Sequence, residues 1–237
     1  MFSDHLAGLN PEQLRAVTLG AGSALVLAGA GSGKTRVLTT RIAWLIANQR
    51  AMAANIMAVT FTNKAAREMH TRLSAMLPLN PRGMWIGTFH GLANRFLRAH
   101  WRDAGLPQTF TILDMQDQLA AIKRLLKALQ VSDEKFPPRQ VQAFINNHKE
   151  QGLRAEALKP YDAFNAKLTE LYAAYDAQCR REGVVDFAEL LLRSYEMLNS
   201  NEALREHYRA RFSHILVDEF QDTNKLQYAW LCLFAGP

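Results

Sequence analysis

The chain has 237 residues, of which 49% are hydrophobic and 21% charged. This composition excludes a disordered or fibrous protein and leaves one or two folded domains, or one domain with a large insertion. Its two cysteines, Cys179 and Cys232, lie outside any metal-ligand or disulfide spacing, and no stretch reaches the roughly 20 apolar residues of a membrane span, so we expect a reduced protein of the cytoplasm.

The net charge of +6 is concentrated in residues 1–88, which hold nine Lys/Arg against three Asp/Glu. A basic segment suits partners that carry phosphate, although a surplus of this size also occurs on an ordinary solvated surface. Charge alone therefore permits a nucleic-acid partner without showing one.

The first elements of the chain alternate between strands and helices. Asn10-Pro11-Glu12-Gln13 is typical of a helix start, with Asn10 as the cap and Gln13 closing a capping box. The apolar run Ala24-Leu25-Val26-Leu27 lies between glycines and predicts a strand that is buried on both faces of a parallel sheet. Alternating strand and helix units predict an α/β sheet with helical crossovers. The other two predicted strands of this part are Ile56–Thr60 and Trp85–Thr88, and helices are predicted from about Lys34, Asn63 and His90.

From about residue 90 to residue 211 the sequence has helical periodicity, interrupted by prolines and glycines. One helix start is marked by Asp186 and Glu189, which have capping-box spacing. The strand pattern returns at His214-Ile215-Leu216-Val217, and a last helix is predicted near Asn224. The predicted fold class is therefore α/β, a RecA-like domain with a parallel sheet that is interrupted by a helical insertion. The predicted boundaries are 1–88 for the first part of the sheet domain, 89–211 for the insertion and 212–237 for the return.

Residues 28–35, AGAGSGKT, match the phosphate-binding pattern GxxxxGK[ST] except that Ala28 replaces the first glycine. The glycines allow positive φ and let backbone N–H groups approach phosphates, Lys34 supplies a charge to the β- and γ-phosphates, and Thr35 supplies a hydroxyl to Mg²⁺. A chance Gly-rich turn is the alternative, but a predicted strand before the motif and a predicted helix after it are the context that the pattern requires. The predicted cradle consists of Ala28, Gly29, Ala30, Gly31, Ser32, Gly33, Lys34 and Thr35.

An acidic pair, Asp218-Glu219, ends the predicted strand His214–Val217. The carboxyl ends of parallel strands are where α/β folds bind ligands, so Asp218 is predicted to hold Mg²⁺ and Glu219 to orient and deprotonate the attacking water. Gln221, two residues further on, could sense the γ-phosphate. Taken alone these would be solvent-facing polar residues, and it is the phosphate loop that favours the functional interpretation.

Two segments place an aromatic ring among small polar and basic residues where a strand gives way to a helix. Such loops can stack a ring on a base and donate hydrogen bonds to a nucleic-acid backbone. The alternative for each is structural: Phe61 and Phe89 as core residues, Asn63 as a helix cap and His90 as a satisfied loop histidine. The predicted DNA contacts are Phe61, Thr62, Asn63 and Lys64 in the first loop and Thr88, Phe89 and His90 in the second.

Five segments in this order, LNPEQ, AGAGSGKTR, VTFTNKAAREM, IGTFHGLANRFL and ILVDEFQDTN, resemble the front motifs of superfamily 1A DNA helicases of the UvrD/Rep/PcrA family. The resemblance covers essentially the whole chain. It implies that ATP with Mg²⁺ is the cofactor, that Gln13 recognises adenine and Arg36 stacks on it, and that the loops of Phe61 and Phe89 contact single-stranded DNA. It also implies 3′ to 5′ travel, binding at junctions of single- and double-stranded DNA, and possible partners among DNA-repair proteins.

Two departures from the family pattern are visible. Gly91 stands where many relatives carry serine, and the chain stops before the glutamine-rich sensor, the arginine fingers and the second RecA-like domain of such helicases. Because arginine supplied across the nucleotide is worth on the order of 10³–10⁵ in rate in related systems, these residues alone are expected to bind nucleotide weakly and to unwind nothing. Two alternatives remain open: a P-loop ATPase with a protein or small-molecule client, and a non-catalytic nucleic-acid-binding module with a vestigial nucleotide site.

Overall fold

A computed structural model describes residues 3–20, 22–29, 31–78 and 83–236. Within these residues the α-helices are α1 Ser3–Ala7, α2 Pro11–Thr18, α3 Lys34–Ala47, α4 Asn63–Met76, α5 Phe89–Ala99, α6 Met115–Ala128, α7 Pro138–Glu150, α8 Ala163–Glu182, α9 Phe187–Ser200, α10 Glu202–Arg211 and α11 Lys225–Ala235. The strands are β1 Ile56–Thr60, β2 Trp85–Thr88, β3 Thr111–Leu113, β4 Val184–Asp186 and β5 His214–Val217. None of the described helices is long and apolar enough to cross a membrane.

The chain divides into two compact units, and the first comprises residues 1–92, 203–222 and 234–237. Its sheet is parallel, with strand order β2-β1-β5, so the predicted α/β class with a parallel sheet is confirmed. The central strand β1 is buried along its whole length, which explains its unbroken apolar sequence. Register brings Thr60 beside Thr88 and Val59 beside Val217, so the three carboxyl ends meet at one edge. Three of the four predicted strands of this sheet are therefore present with the predicted bounds.

The predicted strand at Ala24–Leu27 is wrong. These residues have no regular secondary structure, and the side chains of Leu25, Val26 and Leu27 are 66%, 49% and 84% exposed. An apolar run becomes a central strand only where partners pair with both of its edges and helices cover its faces. The described sheet ends at β5, and no described strand pairs with this run. The apolar sequence of Ala24–Leu27 therefore predicts a buried strand, but within the described residues this run is exposed and has no strand partner.

Helices α3 and α4 pack against the sheet of the first unit. Ile42 and Leu45 of α3 and Met69 of α4 form one apolar cluster with Ile56 and Ala58 of β1. A second cluster is aromatic, because Trp85 contacts Tyr208 and Phe212 edge to face, with ring centroids 5.6 and 5.2 Å apart. These two clusters fix β1, β2 and β5 as the frame from which the loops at the carboxyl edge project.

The second unit comprises residues 93–202 and 223–233 and is mainly helical. Its core is formed by α6, α7 and α8, with Ile122, Ile145 and Leu171 fully buried in it. Helical periodicity predicted this part but missed a two-stranded parallel sheet of β3 and β4, in which Leu113 pairs with Asp186. The two units divide the chain differently from the predicted boundaries, since residues 203–211 belong to the first unit and 223–233 to the second. The helical insertion with boundaries 89–211 stays a prediction.

Helix caps follow the sequence closely. Asn10 and Gln13 form the predicted reciprocal capping box of α2. Asp186 caps α9 through the N–H of Glu189, as predicted. A further reciprocal box, Asn224 with Gln227, begins α11 and was not predicted. Local side-chain to backbone bonds can be recognised from sequence because their partners are three residues apart.

Candidate functional site

The glycine-rich loop leads directly into the first turn of α3. Gly31 and Gly33 have φ of 74° and 84°, left-handed conformations that glycine adopts without strain. Gly33 also packs closely, because a Cβ there would lie 3.2 Å from Nε2 of Gln13. The loop is closed by Ser32, whose hydroxyl donates to the carbonyl oxygen of Gly29 at 2.7 Å. Of the predicted cradle, Ala30 lies outside the described residues. Gly31 and Gly33 therefore have the positive φ expected of a phosphate-binding loop.

The side chain of Lys34 lies over the loop. Its ammonium donates to the carbonyl oxygens of Ala28 and Gly29 at 3.1 and 3.2 Å. Both partners are neutral, so the full charge of Lys34 remains available to an anion that displaces them.

Thr35 and Asp218, which are 183 positions apart in sequence, are in direct contact. The hydroxyl of Thr35 donates to Oδ2 of Asp218 at 3.1 Å. The backbone N–H of Asp218 donates to the carbonyl oxygen of Val59, which extends the pairing of β5 with β1 past the end of the strand. Asp218 is 5% exposed, and burial raises the pKa of its carboxyl group. Two oxygen ligands suited to Mg²⁺ thus lie together at the carboxyl edge of the sheet.

Glu219 and Gln221 follow in the turn after β5. Glu219 has a φ of 50°, a left-handed conformation that is uncommon for a residue with a side chain. Its carboxylate accepts a hydrogen bond from the amide of Gln221. The predicted water-orienting residue and the predicted γ-phosphate sensor therefore contact each other, and Glu219 lines the cavity beside the phosphate loop.

A cavity of about 560 Å³ opens beside the loop, and its size is within the range of small-molecule sites. Six of its residues were predicted from the sequence: Gly31, Gly33, Lys34, Thr35, Arg36 and Glu219. Three residues of α4 also line it and were missed: Glu68, Arg72 and Met76. Their spacing of four residues places all three on one face of α4, and an ion pair joins Glu68 to Arg72. That periodicity was the available signal, but nothing in the sequence alone directed this face toward the loop.

The amide of Gln13 is fixed from two sides. Its Oε1 accepts from the N–H of Asn10 at 3.1 Å, and its Nε2 donates to the carbonyl oxygen of Ser32 at 2.9 Å. A glutamine amide has two acceptor sites and two N–H groups, so one of each remains for a ligand. Arg36, the other predicted base contact, lies against Gly8, where a Cβ would come within 2.6 Å of its Nη2. The helix cap thus also attaches α2 to the phosphate loop.

The first predicted DNA loop is exposed at the carboxyl end of β1. Phe61 is partly exposed, while Thr62, Asn63 and Lys64 are exposed. The cap of α4 is Thr62, whose hydroxyl accepts from the N–H of Ala65, and not Asn63 as the structural alternative had it. The amide of Asn63 and the ammonium of Lys64 therefore face solvent next to an aromatic ring.

The second predicted DNA loop is less open. Phe89 is 1% exposed and packs edge to face on Phe61, with ring centroids 5.4 Å apart. The core alternative thus fits Phe89, because a buried ring has no face for a base. Thr88 accepts from the N–H of Gly91 at 3.0 Å, and a Cβ at Gly91 would lie 3.1 Å from the same oxygen. Burial lowers the pKa of His90, which favours the neutral imidazole.

A glycine-rich loop before the helix α3, in contact with an acidic residue at the carboxyl end of a parallel strand, is typical of a P-loop nucleotide-binding protein. Residues 9–237 match the family described as "UvrD/REP helicase N-terminal domain", and the chain belongs to this family. It is 52% identical to "DNA helicase II" of Escherichia coli over 98% of this chain and 32% of that protein. It is 52% identical to "DNA helicase II" of Haemophilus influenzae over 99% of this chain and 33% of that protein.

A more distant relative is "ATP-dependent DNA helicase PcrA" of Bacillus subtilis, which is 39% identical over 94% of this chain and 30% of that protein. The chain thus spans about a third of the length of the curated relatives it matches. The predicted family resemblance is confirmed.

Proposed function

We propose that this chain is the ATP- and single-strand-binding part of an ATP-dependent DNA helicase that moves 3′ to 5′ and acts in DNA repair. The observation that carries the proposal is the hydrogen bond of Thr35 to Asp218, because it joins the phosphate loop to the acidic strand end. The names of the relatives support DNA as the substrate. Junctions of single- and double-stranded DNA and repair proteins are the proposed partners.

A bound triphosphate would be held by N–H groups of residues 28–35 and by the ammonium of Lys34. Lys34 exchanges its two neutral carbonyl partners for a phosphate, which strengthens its bonds because the new acceptor is charged. The N-terminus of α3 adds a favourable dipole at the same point. These residues bind and orient the phosphates before any bond is broken.

Thr35 and Asp218 fit a magnesium ion. A hydroxyl and a carboxylate oxygen 3.1 Å apart are a hard-oxygen donor set, and a buried carboxylate with a raised pKa gains from a nearby cation. A magnesium ion held by these two residues would neutralise charge on the phosphate oxygens. Glu219 orients the attacking water and accepts its proton, and Gln221, already bonded to Glu219, senses the γ-phosphate.

Gln13 recognises the base with the acceptor site of Oε1 and the N–H of Nε2 that are not used in its bonds to Asn10 and Ser32. A glutamine amide pairs with the N6 and N7 edge of adenine, whereas guanine offers two acceptors there. Arg36 stacks on the base from its place beside Gly8. Gln13 and Arg36 therefore select adenine at the base end of the nucleotide, and Lys34 and the loop bind its phosphates at the other end.

Single-stranded DNA runs along the carboxyl edge of β1 and β2. The partly exposed ring of Phe61 stacks on a base, and Thr62, Asn63 and Lys64 donate to the backbone. Phe89 supports the ring of Phe61 from the core, while Thr88 and His90 shape the second loop. The first DNA loop follows β1, which pairs with the strand of Asp218, and the second follows β2, the next strand of the sheet. A change at the phosphates can therefore be transmitted through the sheet to the grip on DNA.

The test is the magnesium dependence of nucleotide binding, measured by fluorescence titration with a labelled ATP. We expect Mg²⁺ to raise the ATP affinity of the unmodified chain, and Asp218→Asn to abolish this rise while binding without Mg²⁺ persists. Asp222→Asn, which changes an exposed acid four residues further on, is the matched control and should behave as the unmodified chain. An undiminished magnesium effect in Asp218→Asn would refute the proposed metal site.

A further inference from the structure

One arginine of α3 holds the end of the helix that carries Gln13. Nη1 of Arg41 donates to the carbonyl oxygens of Val17 and Leu19 at 3.0 and 2.8 Å, and approaches that of Ala16 at 3.4 Å. These carbonyls end α2, where helical hydrogen bonds run out and the negative end of the helix dipole lies. A single guanidinium therefore caps the C-terminus of α2 from a neighbouring helix.

Arg41 also lies near the strand that leads to Asp218. Its charge adds to burial in lowering the pKa of His214, the first residue of β5. Burial lowers the pKa of Arg41 itself. Arg41 thus belongs to α3, the helix that follows the phosphate loop, and bonds to the end of α2. Its charge also acts on His214 in β5, the strand that leads to Asp218.

Helix α2 packs along α3, and other contacts act with Arg41 to place it. The segment that follows it, Ala24–Leu27, forms no strand, so no sheet pairing holds this end in place. At its N-terminal end, Gln13 bonds to Ser32 of the loop. In the middle, Val17 is fully buried. Arg41 therefore holds the C-terminal end of α2 against α3, while the bond to Ser32 holds Gln13 at the other end.

We propose that Arg41 is a positioning residue for base recognition, which holds α2 so that the free acceptor and donor of Gln13 meet adenine. This inference rests on the proposed function, in which Gln13 reads the base. It predicts that Arg41 affects the choice between ATP and GTP, since Arg41 acts at the base end, while the phosphate contacts of Lys34 and Thr35 stay intact.

The experiment is competitive displacement of labelled ATP by ATP and by GTP, with Mg²⁺ present, for the 237-residue chain and its variants. Arg41→Ala should weaken ATP binding by about three- to tenfold, as expected for losing a few hydrogen bonds, and leave GTP binding within about twofold. Arg41→Lys, which keeps the charge but not the fork of donors, should show a smaller loss that is again specific to ATP. Arg50→Ala, an exposed arginine that lies over Trp44 after α3, is the matched control.

A double variant separates positioning from a general loss of structure. Arg41→Ala should add nothing to Gln13→Ala, because both remove the same recognition. Equal losses for ATP and GTP, or fully additive losses in the double variant, would overturn the inference, and circular dichroism with thermal melting checks that each variant folds. If Arg41→Ala does not fold, the Arg41→Lys variant decides by the same comparison.

The result also distinguishes this inference from the function on which it rests. A chain that binds neither nucleotide overturns both. A chain that binds ATP and GTP equally, or whose selectivity survives Gln13→Ala, overturns base recognition by Gln13 and this inference but leaves the phosphate site standing. A failure confined to the Arg41 variants overturns this inference alone.

Discussion

Lys34 in the first unit and Lys149 in the second have opposite surroundings. Lys34 is partly exposed, and its ammonium donates to two neutral carbonyl oxygens of its own loop. Lys149 is 1% exposed and forms ion pairs of 2.9, 2.8 and 2.9 Å with Asp176, Asp186 and Glu189. Burial alone would lower the pKa of Lys149, but these carboxylates raise it well above its ordinary value.

The carboxylates around Lys149 are themselves bonded further. Asp186 also accepts from the hydroxyl of Tyr175 and from the N–H of Glu189. Burial alone would raise the pKa of Glu189, yet Lys149, Arg154 and Arg193 hold it well below its usual range. We call this group the ionic cluster; its charged members are Lys149, Arg154, Asp176, Asp186, Glu189, Arg193 and Glu196.

The two lysines differ in role: the charge of Lys149 stabilises the fold through its ion pairs, whereas the charge of Lys34 can bind a ligand. In the ionic cluster each buried charge has opposite charges within bonding distance, so no exchange with an outside ion is favourable. At the phosphate loop, the ammonium of Lys34 donates to neutral carbonyl oxygens and the carboxylate of Asp218 accepts from the hydroxyl of Thr35, so both gain from a nucleotide and its metal. The two sites therefore predict different responses to the same kind of substitution.

Lys149→Met should have the largest effect of all. It leaves the buried Asp186 without its cation and takes one cation from Asp176 and Glu189, which keep Arg154. Breaking a buried pair from one side costs about 3–5 kcal/mol of unfolding free energy. Urea unfolding followed by circular dichroism measures this loss. Lys167→Met, which removes an exposed ion pair with Glu170, should cost no more than about 1 kcal/mol. Similar unfolding midpoints for the two variants would contradict a structural role for the ionic cluster.

Lys34→Ala should show the opposite pattern. We expect ATP affinity to fall by about 1.5–3 kcal/mol, the worth of a hydrogen bond to a charged group, and the free energy of unfolding to change by less than about 0.5 kcal/mol. Fluorescence titration and urea unfolding on the same preparation measure both. Lys123→Ala, on the exposed face of α6, is the control for removing a positive charge. A Lys34→Ala chain that is destabilised but binds ATP with full affinity would contradict a ligand-binding role for Lys34.

Phe61→Ala should weaken single-strand binding by about 1–3 kcal/mol if one base stacks on the ring. Anisotropy of a labelled oligothymidine measures the affinity. Phe187→Ala, which removes a half-exposed ring in the second unit, is the matched control and should leave binding unchanged. Unaltered DNA binding by a folded Phe61→Ala chain favours the P-loop ATPase with another client.

The smallest effect concerns the stability of the magnesium-free chain. Because burial raises the folded pKa of Asp218 above its unfolded value, the ionised group disfavours folding above that pKa, and this penalty disappears as the pH falls below the unfolded value. Asp218→Asn should therefore slightly stabilise the chain at neutral pH and lose this advantage in acid. Urea unfolding of both chains at several pH values measures the difference. A gain that persists unchanged in acid would rule out the charge as its cause.

Elements defined by local pattern could be predicted. The runs 56–60, 85–88 and 214–217 gave the three strands of the sheet, and the cap residue Asn10 gave the start of α2. The contact of Thr35 with Asp218 agrees with the predicted shared magnesium site, although the strand predicted before the loop is absent from the described residues and only Asp218 follows a strand.

Features that depend on distant partners could not be predicted. β3 and β4 are three residues long and lie between helices, so helical periodicity hides them. The face of α4 that lines the cavity and the bond of Arg41 to the end of α2 each require a neighbour fixed by the fold. The ionic cluster likewise joins residues that no spacing rule connects. Phe89 is the clearest example, because the sequence allows either a ring that stacks on a base or a core residue, and only its burial in the fold favours the core.

The exposed run of Leu25, Val26 and Leu27 has a consequence for handling the protein. Three consecutive apolar side chains on an unpaired backbone can template strand addition from a second molecule. We therefore expect solutions of these 237 residues to self-associate as concentration rises, with the onset measurable by light scattering. A charged residue in place of Val26 should delay that onset, because gatekeeper charges oppose aggregation.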